Sequence, residues 1–302
     1  MSLTPRSVAL SGASGLLGSA LWPVLTTAGW SVRPLVRRAA AAGEVQWSPA
    51  DNTIDVDALT GVSAAVHLAG EPIAEGRWSE AKKARIRGSR VRGTRLLSEA
   101  LARLPVRPEV LVSASAIGIY GDRDDEILNE DSALGSDFLS EVGREWEAAT
   151  APASEAGIRV VHLRFGIILA ADGGALPRMV KPFLLGAGGP IGNGRQWMSW
   201  IAIDDAVRIV LEAIRNEEVT GPINTVAPNP VRNADFAAQL GGVLHRPALL
   251  PAPAFALRLL FGEMADAALL ASQRVLPARL TALGFDFRHP TLPDALRAVL
   301  DR

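Results

Sequence analysis

The chain has 302 residues, 48% of them hydrophobic, no cysteine and a formal net charge of −1. Such a length and apolar content suit one large domain with an attached lobe, and the near-neutral charge offers no general field to gather nucleic acid or an anionic membrane. Without cysteine there are no disulfides, thiolate nucleophiles or sulfur-ligated metals, which favours a reducing, cytoplasmic setting and small-molecule chemistry.

The first residues, Met1 to Gly12, run straight into a predicted strand over Val8 to Leu10. The apolar stretch Leu16 to Leu25 is interrupted by Gly18, Ser19 and Pro23, which makes it a poor signal peptide and too short to span a bilayer. It falls instead in an amphipathic helix, Gly15 to Ala28, ended by Gly29. Second, third and fourth strands are predicted at Ser31–Val36, Glu44–Trp47 and Ala64–Leu68. A long helix from about Ser79 to Arg103 follows, with Ile86, Val91, Leu97 and Leu101 as its buried stripe. Glu109–Ser113 reads as the fifth strand, Phe138–Ser154 as a helix and Arg159–Phe165 as the sixth strand. Strands alternating with helices imply right-handed crossovers and an α/β, Rossmann-like, doubly wound parallel sheet.

After Gly166 the pattern changes. Glycine and proline are dense from Gly173 to Gly194, a helix is predicted over Asp204–Asn216 and a strand over Ile223–Val226, and beyond Asn229 the chain is mostly helical, with breaks at Pro247, Pro251 and Pro253. Residues 1–170 are therefore expected to form the nucleotide-binding domain, with 200–228 returning to its sheet. Residues 171–302 make a smaller mixed, mainly helical C-terminal lobe on the substrate side, including a small terminal domain at about 245–302.

Gly12-Ala13-Ser14-Gly15-Leu16-Leu17-Gly18 is a G-x-x-G-x-x-G turn between the first strand and first helix. Glycine allows close approach to a pyrophosphate, and free amides at a helix start supply partial positive charge. About twenty residues on, where an acid normally receives the ribose of NAD, there is none. The first acidic residue of the chain is Glu44, whereas Arg33, Arg37 and Arg38 crowd the end of the second strand. An arginine fork matches the 2'-phosphate of NADP, so NADPH is expected to be preferred over NADH.

Ser11 to Gly18, His67-Leu68-Ala69-Gly70, and Ser113-Ala114-Ser115 running to Tyr120-Gly121 resemble an extended short-chain dehydrogenase/reductase. More narrowly, Ala69 to Ile73, Arg77-Trp78 with Lys83, Ser89-Arg90 with Thr94, Gly192 to Gln196, Ser199 to Ile201, Asn224 to Pro228 and Gly284-Phe285 are similar to the atypical subgroup known as epimerase family proteins. The resemblance implies a Rossmann-like fold and NADP binding, with His67 to Gly70 and Glu71 beside the cofactor. In the wider superfamily a tyrosine, with a lysine four residues later, works with a serine or threonine in proton transfer. No Tyr-x-x-x-Lys exists here: the one tyrosine is Tyr120, the lysines are Lys82, Lys83 and Lys181, and the corresponding helix reads Phe138 to Arg144.

Candidates for any chemistry are few. Ser115 is the nearest match to the catalytic serine, Tyr120 an acid if something stabilises its anion, and Lys83 a group that could do so. Glu71 offers a base, Arg77 an anion clamp and Trp78 a pocket wall, while Arg195 and Gln196 lie in a loop meant to face something polar. His67 reads as a packed residue; His162, His245 and His289 are scattered, so no metal is expected, and no G-x-S-x-G occurs. An NADP-dependent oxidoreductase acting on a small carbonyl or alcohol is favoured over an NADP-retaining regulatory or sensor protein. A nucleotide-sugar epimerase or dehydratase is a third reading, discounted because Met198 stands where such relatives commonly carry arginine. The partner is then a small-molecule substrate, with no nucleic acid and no membrane. The protein is expected to be a monomer or a homodimer, since relatives often pair the helices containing Ser79 and Trp146.

Overall fold

A computed structural model describes residues 6–301. In chain order the first half comprises β1 (Ser7–Ser11), α1 (Leu16–Thr27), β2 (Ser31–Val36), β3 (Val45–Ser48), β4 (Thr53–Ile54), β5 (Ala64–His67), α2 (Glu80–Ala102), β6 (Val110–Ala116), β7 (Ile127–Leu128), α3 (Phe138–Ala148), α4 (Ala151–Glu155) and β8 (Arg159–Phe165). The second half adds β9 (Ile167–Leu169), α5 (Leu176–Leu184), β10 (Trp197–Met198), β11 (Trp200–Ala202), α6 (Ile203–Arg215), β12 (Gly221–Thr225), β13 (Val231–Arg232), α7 (Asn233–Leu244), α8 (Ala254–Phe261), β14 (Arg274–Val275), α9 (Ala278–Ala282) and α10 (Leu292–Leu300).

One eight-stranded sheet, ordered β12-β8-β6-β5-β1-β2-β3-β4, dominates the molecule. Its pairings are parallel apart from the β3–β4 ribbon. Alternation along β1 sends Val8 and Leu10 toward α1 and α6, where they meet Leu21, Leu25, Ile209 and Val210; Ala9 faces the other way, toward Leu97, Leu101 and Trp47. Both faces are thus covered, as a parallel sheet requires. The chain winds outward from β1 in one direction and from β5 in the other, which opens a crevice beyond the carboxyl ends of these two neighbours.

The fold is the Rossmann-like one expected, with three local differences. The fifth strand runs on to Ala116 because β8 pairs with it along its whole length, as far as Ala116 with Phe165. The helix expected over 138–154 is two, α3 and α4, separated at Ala149–Thr150; Ser98 Oγ donates to the Thr150 carbonyl and accepts from the Ala153 amide, which satisfies the broken ladder. Two-residue ladders that no periodicity marks join β10 with β13 inside the lobe and β7 with β14 between the first half of the chain and the lobe. Its core gathers Leu176, Phe183, Trp200, Phe236, Leu240 and Leu296. Among the described residues no helix is long and apolar enough to cross a membrane, and no group of histidine and acidic side chains could hold a metal ion.

Candidate functional site

The crevice is floored by the glycine turn. Gly12 has φ 71°, and a Cβ there would lie 2.8 Å from the Ala69 amide nitrogen, so the turn leans directly on the end of β5. A Cβ on Gly18 would lie 2.2 Å from the Gly12 carbonyl oxygen, which only glycine tolerates. At the start of α1, Gly15 is an N-cap without a side-chain hydrogen bond, and the first turn carries no acid. Its leading amides therefore remain donors for an external anion.

Ser11 and His67 lock the two strand ends together. Ser11 Oγ accepts from the amides of Leu68 (3.1 Å) and Ala69 (3.3 Å) and lies 2.6 Å from His67 Nδ1. With two amides donating to the oxygen, the hydroxyl proton goes to Nδ1, and His67 is the neutral tautomer protonated at Nε2. Burial holds its pKa down to about 4, and its ring stands edge-on to Trp47 at 5.8 Å. His67 is the packed residue the sequence indicates, positioning Leu68 to Glu71 along the crevice.

The arginines at the end of β2 divide their roles. Arg33 donates to the carbonyls of Ala58 (3.0 Å) and Thr60 (2.8 Å), tying down a loop. Arg38 forms a fork with Glu44, both contacts at 2.6 Å, and hydrogen bonding from Arg38 and the Ala41 amide keeps the Glu44 carboxyl at about 2. Arg37 is exposed and has no side-chain hydrogen-bond partner among the described residues. This edge offers one exposed guanidinium, Arg37, and a second, Arg38, whose fork is engaged by the Glu44 carboxylate.

Beyond β5 the structure sets Glu71, a candidate base from the sequence, among groups to which the sequence assigned no role. Glu71 accepts from Lys82 Nζ at 2.9 Å, with Arg85 at 3.5 Å, and the Lys82 hydrogen bond holds its carboxyl below the ordinary range. Lys82, not its neighbour, is the buried lysine here. Arg90 donates to the carbonyls of Glu71 (3.0 Å) and Ile86 (3.2 Å), lies 5.0 Å over the Trp146 ring, and sits close enough that a Cβ on Gly70 would be 3.4 Å from its Cζ. Its burial pulls the guanidinium down to about 10, with the nearby Glu71 carboxylate opposing that shift. The only sequence signal for it was its place in the Ser89-Arg90 match.

The three candidates for proton transfer are not brought together at the crevice. Lys83 pairs with Glu263 and Glu80 and lies 5.2 Å over the Phe138 ring, and it shares no partner with Ser115 or Tyr120. Tyr120 is fully buried: its hydroxyl donates to Asn224 Oδ1 (2.7 Å) and accepts from Arg164 (2.9 Å). Burial pushes the phenol up, away from use as an acid near neutrality. Ser115 donates to Glu147 at 2.7 Å, and Arg164 forks onto the same carboxylate with two 2.8 Å contacts. Burial opposes charge on Glu147, yet Arg164 keeps its carboxyl below its usual value. Ser115 and Tyr120, expected from the sequence as candidates for proton transfer, are instead engaged inside the fold: β6 alternation turns Ser115 toward α3, and Ala116 is the exposed end of the strand.

The expected pocket residues separate as well. Trp78 is buried, donates to the Ile73 carbonyl at 2.8 Å and packs on Phe138, while Arg77 is exposed beside Gly262. Gln196 is buried and its amide holds the carbonyls of Ile191 (3.1 Å) and Leu269 (3.2 Å), making it a latch within the lobe; Arg195 remains exposed. Met198 is buried with its sulfur 3.1 Å from Asn233 Nδ2, so no cation occupies that position.

Comparison with known proteins agrees with this fold. The family model described as NAD dependent epimerase/dehydratase family covers residues 8–226, and a domain of unknown function, DUF1731, covers 252–299. Epimerase family protein ML0860 of Mycobacterium leprae is 42% identical over 290 residues, covering 96% of this chain and 94% of its own. A chloroplastic relative from Arabidopsis thaliana, an SDR39U1 homolog, is 41% identical over 305 residues, with 97% and 86% covered. The crystal structure of human epimerase family protein SDR39U1, solved with NADPH, superposes with a TM-score of 0.90 at 33% identity over 98% of this chain and 100% of that one.

Proposed function

The chain belongs to the NAD dependent epimerase/dehydratase family, and on that premise we propose that it binds NADP(H), with NADPH preferred over NADH, and acts as an oxidoreductase on a small carbonyl or alcohol. The observation that carries this reading is the uncapped glycine turn set beside a strand end that carries the exposed Arg37 and no acid in the chain before Glu44. Gly12 to Gly18 would receive the diphosphate, Arg90 would neutralise it from the α2 side, and Arg37 with Arg38 would take the 2'-phosphate. His67 to Gly70 would lie along the dinucleotide. The human relative's NADPH supports the same assignment.

Bound NADPH would supply the hydride. The proton falls to Glu71 and Lys82, the hydrogen-bonded pair left beside the end of β5 once Ser115 and Tyr120 are committed elsewhere. Lys82, buried and hydrogen-bonded, is the donor to a reacting oxygen, and Glu71 holds it in place. A cysteine-free chain of this kind is assigned to the cytoplasm, although the Arabidopsis relative is chloroplastic.

Fluorescence titration tests the cofactor. NADPH should bind about tenfold or more tightly than NADH, and Arg37→Ala should erase most of that margin, since a hydrogen bond to a charged group contributes roughly 1.5–3 kcal/mol. Equal affinities in the unaltered protein would overturn the preference. A second reading, a cofactor-bound sensor without turnover, is favoured by one observation, the sealed Ser115 and Tyr120 hydroxyls. NADPH oxidation against a panel of carbonyl compounds separates the two.

A further inference from the structure

We infer that the face formed by the end of α5, the segment 245–253 and α8 docks on the surface of an anionic lipid bilayer. In α8 the sequence Ala-Phe-Ala-Leu-Arg-Leu-Leu-Phe forms a helix of eight residues with none buried. Isolated helices shorter than about 12–15 residues are marginal in water, so apolar surroundings would complete what the fold leaves open. Its neighbours extend the same surface. Leu250 donates its amide to the Gly188 carbonyl, and Ala252 pairs with Ile191, which sets Leu249 and Leu250 beside the loop that follows Leu184 and Leu185. Leu185 is 84% exposed, Leu249 80% and Phe255 73%, with Leu259 and Leu260 alongside. Single exposed leucines need no explanation, but a contiguous cluster of this kind marks an interaction surface.

Charge selects the occupant. Neither residues 173–203 nor residues 236–262 contain an acid, and between them they carry Arg178, Lys181, Arg195, Arg246 and Arg258. Among the described residues only Arg258 of these forms a salt bridge, to Asp266 at 2.9 Å. Exposed Lys181 and Arg246 flank the leucines, so a second copy docked face to face would set two cationic rims against each other. An anionic headgroup layer meets the rim with opposite charge while its acyl region accepts the leucines. The near-neutral net charge conceals this local imbalance, and the lack of a spanning helix bears on crossing a bilayer, not on lying against one.

The test is co-sedimentation of the full chain with vesicles of phosphatidylcholine, with and without phosphatidylglycerol. Binding is expected with phosphatidylglycerol and should weaken as salt is added. Leu185→Asp with Leu249→Asp should lower the partition about tenfold or more, and Lys181→Glu with Arg246→Glu should lower it without touching the apolar residues. Unchanged NADPH titration and circular dichroism show that both variants fold. No sedimentation with phosphatidylglycerol, equal sedimentation without it, or a dimer that the leucine variant converts to monomer in the absence of vesicle binding would each overturn the proposal.

Discussion

Arg90, half-buried between α2, Trp146 and the end of β5, donates its hydrogen bonds to backbone carbonyls alone, with the Glu71 carboxylate near enough to offset part of the cost of burial. If it grips the linking diphosphate, Arg90→Leu should weaken NADPH and NADH equally, by roughly 1.5–3 kcal/mol or about ten- to a hundredfold in Kd, with Arg90→Lys recovering part of the loss. Arg37→Ala should act on NADPH alone. Titrating both nucleotides against both variants distinguishes a diphosphate contact from a 2'-phosphate contact, and a loss confined to NADPH in Arg90→Leu would refute the assignment. The sequence made Arg37 and Arg38 legible because an absence, that of any acid before Glu44, isolates them. Arg90 was not legible in the same way: α2 contains seven basic residues, and only the packing of its neighbours decides which of them turns toward Glu71 and the end of β5. The same holds for Lys82 and Lys83, adjacent in sequence but turned to different partners, Glu71 and Glu263. Tyr120 misled for the converse reason. A lone polar aromatic invites a catalytic role, yet its hydroxyl serves Asn224 and Arg164 inside the core.

At the scale of elements, legibility followed hydrogen-bonding range. β2 and β8 begin and end where their apolar runs do, and α2 starts one residue after Ser79, whose side chain accepts from the Lys82 amide as an N-cap. The lobe's two-residue strands are set by partners elsewhere in the chain, as when β7 pairs with β14, and local pattern cannot carry that information. The glycine turn is the element on which the functional reading rests, and it has a direct test. Gly18→Ala places a methyl 2.2 Å from the Gly12 carbonyl, where backbone and not a flexible side chain must yield. Overpacking of that kind costs roughly 1–3 kcal/mol, so Tm should fall by several degrees and NADPH binding should be largely lost as the amides turn away. Gly242→Ala, at an exposed position of α7 where a Cβ meets nothing within 4 Å, should instead raise Tm, by about 0.4–1 kcal/mol of stability. Equal effects from the two substitutions would show that the turn is not a close-packed cradle.

Across the whole molecule, buried ionisable groups make folding sensitive to acid. Ser115, Glu147, Arg164, Tyr120 and Asn224 form one hydrogen-bonded chain, and Glu130 extends it to the amides of Asn224 and Arg279, so the sheet and the C-terminal segment share a single polar joint. Burial lowers His67 to about 4 and holds His162 below its ordinary value, while Arg164 keeps Glu147 low against the opposing effect of burial. The sign is the same for all three. A histidine neutral in the folded state and titrating near 6.5 when unfolded binds more protons unfolded, so stability is full above that pH and falls as pH drops toward the folded value, by up to about 1.4 kcal/mol per pH unit for each group. The carboxylate's contribution is lost only at lower pH, as acid approaches its depressed folded pKa. Urea midpoints should therefore hold steady above neutrality and decline between pH 6.5 and 4.5. In His67→Asn the plateau should be lower, because the Ser11 contact is altered, but the decline should be shallower, His162 accounting for the remainder. A slope unchanged in that variant would place the acid sensitivity elsewhere and would remove His67 from the set of neutral, buried hubs that hold the crevice's two strand ends together.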